Sequence, residues 1–286
     1  MIDLIVSDMD GTLLNKEGEI SNKNIEIISK IQKEGIIFAI ASGRALTEAL
    51  PALKKAKIQC PILTGNGAQG FDEHHNNFFT YDINKNVAKK IIDLLEKHNI
   101  YFEVATTQGV FSTNEEQRMI EGCKHIKSLN PNLKDEEIKK ITKAHMQKLA
   151  VNFIDSFNYL LANDDLQILK FLAVSEEGQK VLKPLQDIIE TFDNVHVTSS
   201  FHNNIEVNSA KATKGNAVKE LATKYKISLD KTLVLGDNYN DESMFAVAGY
   251  SAAMHNAVPE LKEMATYISD AHDADGVANA IKHFLN

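Results

Sequence analysis

The sequence predicts an α/β fold, a doubly wound parallel sheet interrupted by an inserted α+β domain, and three observations predict it. The apolar runs at 2–7, 36–41 and 232–235 are continuous rather than alternating, as expected of strands covered by helices on both faces. Amphipathic stretches of helical period separate neighbouring runs, which gives the βα alternation of a parallel sheet. Between about 83 and 195 the style changes to long charged helical stretches interleaved with short strand candidates, and afterwards the βα alternation resumes.

Taken in order, strand 2–7 leads into a helix opened by Ser21 and closed by Gly35, followed by strand 36–41. Pro61-Ile62-Leu63-Thr64 is the next strand, and 68–81 reads as a hairpin around the polar tip Glu73-His74-His75-Asn76-Asn77. In the insert, helices are expected at 84–98, 135–148 and 176–191, and strands at 101–106, 149–154, 167–173 and 194–199. Strand 203–207, helix 213–226, strand 232–235, helix 239–247, strand 250–254 and a closing helix at 275–285 complete the chain. The expected core is therefore discontinuous, 1–82 plus 196–286, around an insert at 83–195.

With 286 residues, 43% of them hydrophobic, the chain is long enough to bury a core in each of two domains without disulfides. The net charge of −8 disfavours general nucleic-acid binding, so positive potential for an anion must be local. Only Cys60 and Cys123 are present, without CxxC or zinc-ligand spacing. No leader and no run of membrane-spanning length is evident, so a cytoplasmic protein with no membrane partner is expected.

In open α/β sheets ligands sit beyond the carboxyl ends of the strands, and four polar clusters fall there. Asp8-Met9-Asp10-Gly11-Thr12 follows the first strand, its paired carboxylates suiting a nucleophile and an acid/base partner near one metal. Ser42-Gly43-Arg44 ends the second, with a hydroxyl, a close-approach glycine and helix-start amides to hold phosphate oxygens. Lys214 begins helix 213–226, where an ammonium balances a phosphate and a nucleophilic carboxylate. Gly236-Asp237-Asn238-Tyr239-Asn240-Asp241 offers carboxylates suited to a hard cation such as Mg²⁺.

In this order the four motifs resemble those of the haloacid dehalogenase superfamily, and an insert placed after the third strand resembles the class IIB cap of its Cof-type phosphatases. Asn66-Gly67-Ala68 and Asp275-Gly276-Val277 are also similar to that subfamily. The resemblance implies a Rossmann-like core and a phosphoric monoester hydrolase acting through an aspartyl-phosphate. Asp8 is then the nucleophile and a metal ligand, Asp10 the acid/base and a ligand through its carbonyl, and Asp237 the third ligand. Thr12, Ser42, Gly43, Arg44, Lys214, Asn240 and Asn66 are implied to contact phosphate or its surroundings, with Asp241 behind the metal or Lys214. The implied substrate is a small phosphorylated metabolite, a sugar phosphate foremost, taken by a monomer or weak homo-oligomer. A phosphomutase of the same superfamily and a catalytically silent sugar-phosphate sensor are the alternatives.

Overall fold

A computed structural model describes residues 2–148, 151–199 and 202–285 and divides the chain into two compact units, Met1–Tyr81 with Lys211–Asn286, and Asp82–Ala210. The first unit begins with β1 (Leu4–Ser7), α1 (Asn22–Lys33), β2 (Ile37–Ala41), α2 (Leu46–Ala56) and β3 (Ile62–Thr64). Ser21 caps α1 by accepting from the Asn24 amide, and Gly35, at φ +87°, follows its end. The hairpin β4 (Gln69–Phe71) and β5 (Asn77–Thr80) then adds two antiparallel strands at one edge.

The second unit holds α3 (Lys85–Lys97), β6 (Tyr101–Thr106), β7 (Gly109–Ser112), α4 (Glu115–Leu129) and α5 (Asp135–Lys148). It continues through β8 (Val151–Phe153), α6 (Asn158–Ala162), β9 (Ile168–Val174), α7 (Gln179–Ile189), β10 (Val195–Thr198) and β11 (Asn204–Ser209). These strands form one sheet in the order β10-β11-β9-β6-β7-β8. Its core gathers Ile91, Leu95, Phe102, Val104, Phe157, Phe171, Leu182 and Val207, with the Phe102 and Phe157 rings stacked at 4.4 Å.

The chain returns to the first unit with α8 (Lys214–Tyr225), β12 (Thr232–Gly236), α9 (Glu242–Phe245), β13 (Tyr250–Ala253), α10 (Pro259–Met264), β14 (Tyr267–Ile268) and α11 (Gly276–Leu285). Its sheet runs β14-β13-β12-β1-β2-β3-β4-β5, parallel from β14 through β3. From β1 the chain winds outward to β2 and β3, and from β12 it winds the other way, so β1 and β12 flank the topological switch point. Ile5, Phe38, Ile40, Leu233 and Leu235 pack on one face with Ile28, Ile31 and Ile281. Leu4, Val6, Ala39, Val234 and Leu63 pack on the other with Val218 and Leu221. The apolar runs are continuous because alternate side chains enter two different cores.

The second boundary differs from the expected one. Residues 196–210, assigned to the core from sequence, lie in the inserted unit because β11 pairs with β9, placing Val207 opposite Phe171 and burying Ile205 and Val207. Elements β7 and α4 were not foreseen; α4 carries Gly122 and mixes charges among its few apolar residues, which blurs the helical period. The expected helix 239–247 is a 3-10 turn over Tyr239–Asp241 followed by the short α9. Of the expected strand 149–154, residues 149 and 150 lie outside the described residues, and β8 covers Val151–Phe153. Among the described residues no helix is long and apolar enough to cross a membrane.

Phe171 is fully buried at the centre of the second sheet, so Phe171→Ala should cost about 3–5 kcal/mol in urea unfolding. Cys60 is also buried, and desolvation pushes its thiol pKa up to about 12. In native protein at pH 8 a thiol reagent should therefore modify the partly exposed Cys123 and reach Cys60 only after denaturant is added; prompt labelling of both would contradict the packing around Cys60.

Candidate active site

Asp8 is the first residue past β1, and its amide donates to the Leu235 carbonyl at 2.9 Å, tying the loop to β12 across the switch point. The Met9 carbonyl then accepts from the amides of Thr12, Leu13 and Leu14. This tight turn buries Asp8 and leaves Asp10 exposed. Gly11 sits at φ +78°, and a Cβ there would lie 2.3 Å from Asp237 Oδ2, so the position tolerates no side chain. The next residue, Thr12, is buried and donates its hydroxyl to Asp237 Oδ1 at 2.9 Å.

Lys214 opens α8, whose N-cap Thr213 accepts from the Asn216 amide. Its helix approaches closely because Gly215 has no side chain: a Cβ there would meet the Ser243 carbonyl oxygen at 2.1 Å. The ammonium is buried between two carboxylates, donating to Asp8 Oδ1 at 2.5 Å and Asp241 Oδ1 at 2.6 Å. Asp241 Oδ2 in turn accepts from the amides of Asp237 and Asn238 at 2.9 and 3.0 Å, which shapes the loop after β12.

Burial pushes the Asp8 carboxyl up to about 7, with Lys214 opposing and Asp241 and Asp237 adding to the rise. For Lys214 burial works against the charge, but Asp8 and Asp241 outweigh it and hold the ammonium above the usual lysine range. Burial likewise raises Asp237, against the hydrogen bond from Thr12. Two of these three carboxylates, Asp8 and Asp241, bond the one lysine. Asp8, Asp237 and Asp241 each bring a ligand oxygen within 4.8 Å of the others, the hard-oxygen donor set that a divalent cation prefers. Both Asp241 oxygens already accept hydrogen bonds, Oδ1 from Lys214 and Oδ2 from the Asp237 and Asn238 amides.

Across the cleft, Ser42 lies buried past β2, and its hydroxyl oxygen accepts from the Arg44 amide at 3.1 Å. Arg44 grips Asp10 with two bonds, Nε to Oδ2 at 2.8 Å and Nη2 to Oδ1 at 2.6 Å. The hydrogen bond to Asp10 is the main cause of the raised Arg44 pKa. Asn66, at φ +57°, accepts from Asn240 Nδ2 at 3.0 Å and lies against Gly43. A cleft of about 330 Å³ is lined by Asp8, Asp10, Gly43, Arg44, Glu48, Asn238 and Asn240.

The candidate site residues of the four motifs, with Asn66, therefore lie around the carboxyl ends of β1, β2, β3 and β12 and the start of α8, whereas Asp275 instead bonds Ser21 and Lys23. Two cleft residues escaped that reading. Asn238 lies inside the aspartate-rich loop, and Glu48 is the third residue of α2, where its carboxylate accepts from the amide of the N-cap residue Ala45, a helix-start position that the sequence offers.

A doubly wound sheet bearing a buried Asp–Lys–Asp network and a second aspartate loop at its switch point defines a phosphotransfer class of α/β enzyme. The chain belongs to the haloacid dehalogenase-like hydrolases, whose family profile matches residues 5–281, and within them to the Cof-type phosphatases. It is a phosphoric monoester hydrolase of that family. It is 30% identical over 284 residues to Phosphatase YwpJ of Bacillus subtilis, with 99% of each chain covered. Identity to the B. subtilis 5-amino-6-(5-phospho-D-ribitylamino)uracil phosphatase YwtE is 32% over 283 residues, covering 99% of this chain and 98% of that one. Among solved structures, a haloacid dehalogenase-like hydrolase from B. subtilis matches with a TM-score of 0.79 and 29% identity over 99% of both chains.

Replacing Lys214 with Met should strand the Asp8 and Asp241 charges in the interior and cost about 3–5 kcal/mol. Chemical denaturation in EDTA reads this directly, and a loss below about 1 kcal/mol would contradict the assigned network.

Proposed function

We propose that the chain hydrolyses a small sugar or polyol phosphate, with Asp8 as nucleophile and Mg²⁺ as cofactor. The observation that carries this is the placement of Asp8, which lines the cleft with one carboxylate oxygen held by Lys214 and with Asp237 beside it. Asp8, Asp237 and the Asp10 carbonyl are the proposed ligands. The cation, when bound, supplies positive charge to offset Asp8 and the phosphate oxygens.

In the first step an Asp8 oxygen attacks phosphorus as the bond to the leaving oxygen breaks, and Asp10 gives that oxygen its proton. In the second, Asp10 takes a proton from water, the water oxygen attacks phosphorus, and the Asp8–phosphorus bond breaks to restore the carboxylate. Lys214, held by two carboxylates, sits beside the charge that passes through Asp8. Thr12 keeps Asp237 in place, the Ser42 hydroxyl, which still has its proton to donate, receives the phosphate with the Gly43 amide, and Arg44 bridges Asp10 and the cleft.

The cleft volume suits a phosphate with a small organic group. Two B. subtilis relatives, 32% and 28% identical, are named for a substrate whose phosphate sits on a ribityl chain, which favours polyol phosphates for this chain as well. The inserted unit takes the part of a class IIB cap and sets which leaving groups are accepted.

Phosphate release from a panel of sugar, polyol and nucleotide phosphates, with Mg²⁺ or EDTA, tests the reading. Release should require the cation and fall by at least about three orders of magnitude in Asp8→Asn. Asp10→Asn should retain phosphoryl transfer to Asp8 but turn over slowly, so that acid-quenched enzyme carries more phosphate than wild type. Full activity of Asp8→Asn, or release unaffected by EDTA, would sink the proposal.

A further inference from the structure

We infer that Asn256 is a positioning residue for Asp10, acting through the backbone of Gly11. The inference deepens the proposed phosphatase chemistry and rests on it for the role of Asp10.

Glycine at φ +78° has wide conformational freedom, so the direction in which Gly11 sends its neighbours must be imposed from outside. On one side the Asp237 carboxylate fills the space where a Cβ would be. On the other, Asn256 Nδ2 donates to the Gly11 carbonyl at 2.8 Å. The amide cannot flip, because Asn256 Oδ1 accepts from the His272 backbone amide at 3.0 Å. Nor is its turn free: the Met254 amide donates to the Gly236 carbonyl at 3.0 Å and the Val258 amide to the Asp237 carbonyl at 2.9 Å. Asn256 thus sits on the loop after β13, which is bonded to the backbone of the loop that carries Asp237, and reaches across to the loop that carries Asp8 and Asp10.

The same grip extends along the chain. The His272 ring Nδ1 lies 2.8 Å from the Leu14 carbonyl, which only accepts, so this nitrogen bears the proton. Asp273 Oδ1 accepts from the Lys16 amide at 2.9 Å, and Asp275 Oδ1 accepts from the Ser21 hydroxyl at 2.6 Å while Oδ2 pairs with Lys23 at 2.9 Å. Residues 272–275 therefore run as a latch along residues 14–23, and Gly276 permits the sharp turn, since a Cβ there would lie 2.2 Å from the Asp270 carbonyl oxygen. This gives the Asp275-Gly276 motif a function: it anchors the segment leaving the catalytic loop, while Asn256 sets the loop itself. Asp10 needs such support because its side chain is more than half exposed and, among the described residues, is gripped only by Arg44.

Asn256→Asp separates positioning from bulk stability, because it keeps the oxygen for His272 and removes the donor to Gly11. Kinetics taken well below each protein's unfolding midpoint should show kcat down about tenfold or more with KM within about twofold of wild type. Hydrogen exchange of the peptide covering residues 9–14 should also quicken, a readout that does not depend on turnover. Unchanged kcat, a change confined to KM, or unaltered exchange at 9–14 would overturn the role of Asn256. A wild type that releases no phosphate from any compound while the variant still quickens exchange would remove the phosphatase reading and leave the positioning intact.

Discussion

Everything in the first unit is arranged around one buried ammonium. Lys214 is held between Asp8 and Asp241, two carboxylates that reach it from the ends of different strands, and in return it makes their burial tolerable. Breaking such a buried pair leaves an uncompensated charge, so the three side chains stand or fall together. Their meeting point is fixed by topology. Asp8 follows β1 and Asp241 lies in the loop after β12, the neighbouring strands from which the chain winds in opposite directions.

Close approach is the second constraint. Glycines at 11, 215 and 236 each stand where a Cβ would fall within 2.6 Å of another group: the Asp237 carboxylate, the Ser243 carbonyl and the Asp241 side chain. They let the two loops and the α8 start close around the lysine. Burial, with Asp241 and Asp237 adding to it against Lys214, pushes the Asp8 carboxyl up, and the excess of carboxylates over ammonium is why a further cation suits the site. Stability and chemistry are coupled here.

Much of this was legible in the sequence, for identifiable reasons. Continuous apolar runs such as Ile36 to Ala41 reported strands covered on both faces, and the chemistry sat where those runs ended. Asp8, Lys214 and Asp237 were found because each lies within a few residues of a strand or helix end. Less legible were features made by tertiary contact. The boundary at Lys211 depends on β11 pairing with β9, which no local pattern announces, and α4 lacks a clean apolar stripe. The bidentate hold of Arg44 on Asp10 joins residues 34 positions apart, and the reach of Asn256 to Gly11 spans 245, so neither spacing carries a signal.

The central claim is that the phosphoryl group passes through Asp8. Wild-type enzyme should be mixed with a hydrolysed phosphate ester, quenched during turnover, and treated with tritiated borohydride, which reduces an acyl phosphate to an alcohol and spares free carboxylates. The account predicts label on the peptide containing residue 8, converted there to homoserine, and none without substrate. Label at another carboxylate, or active enzyme that takes up no label above the substrate-free control, would contradict it.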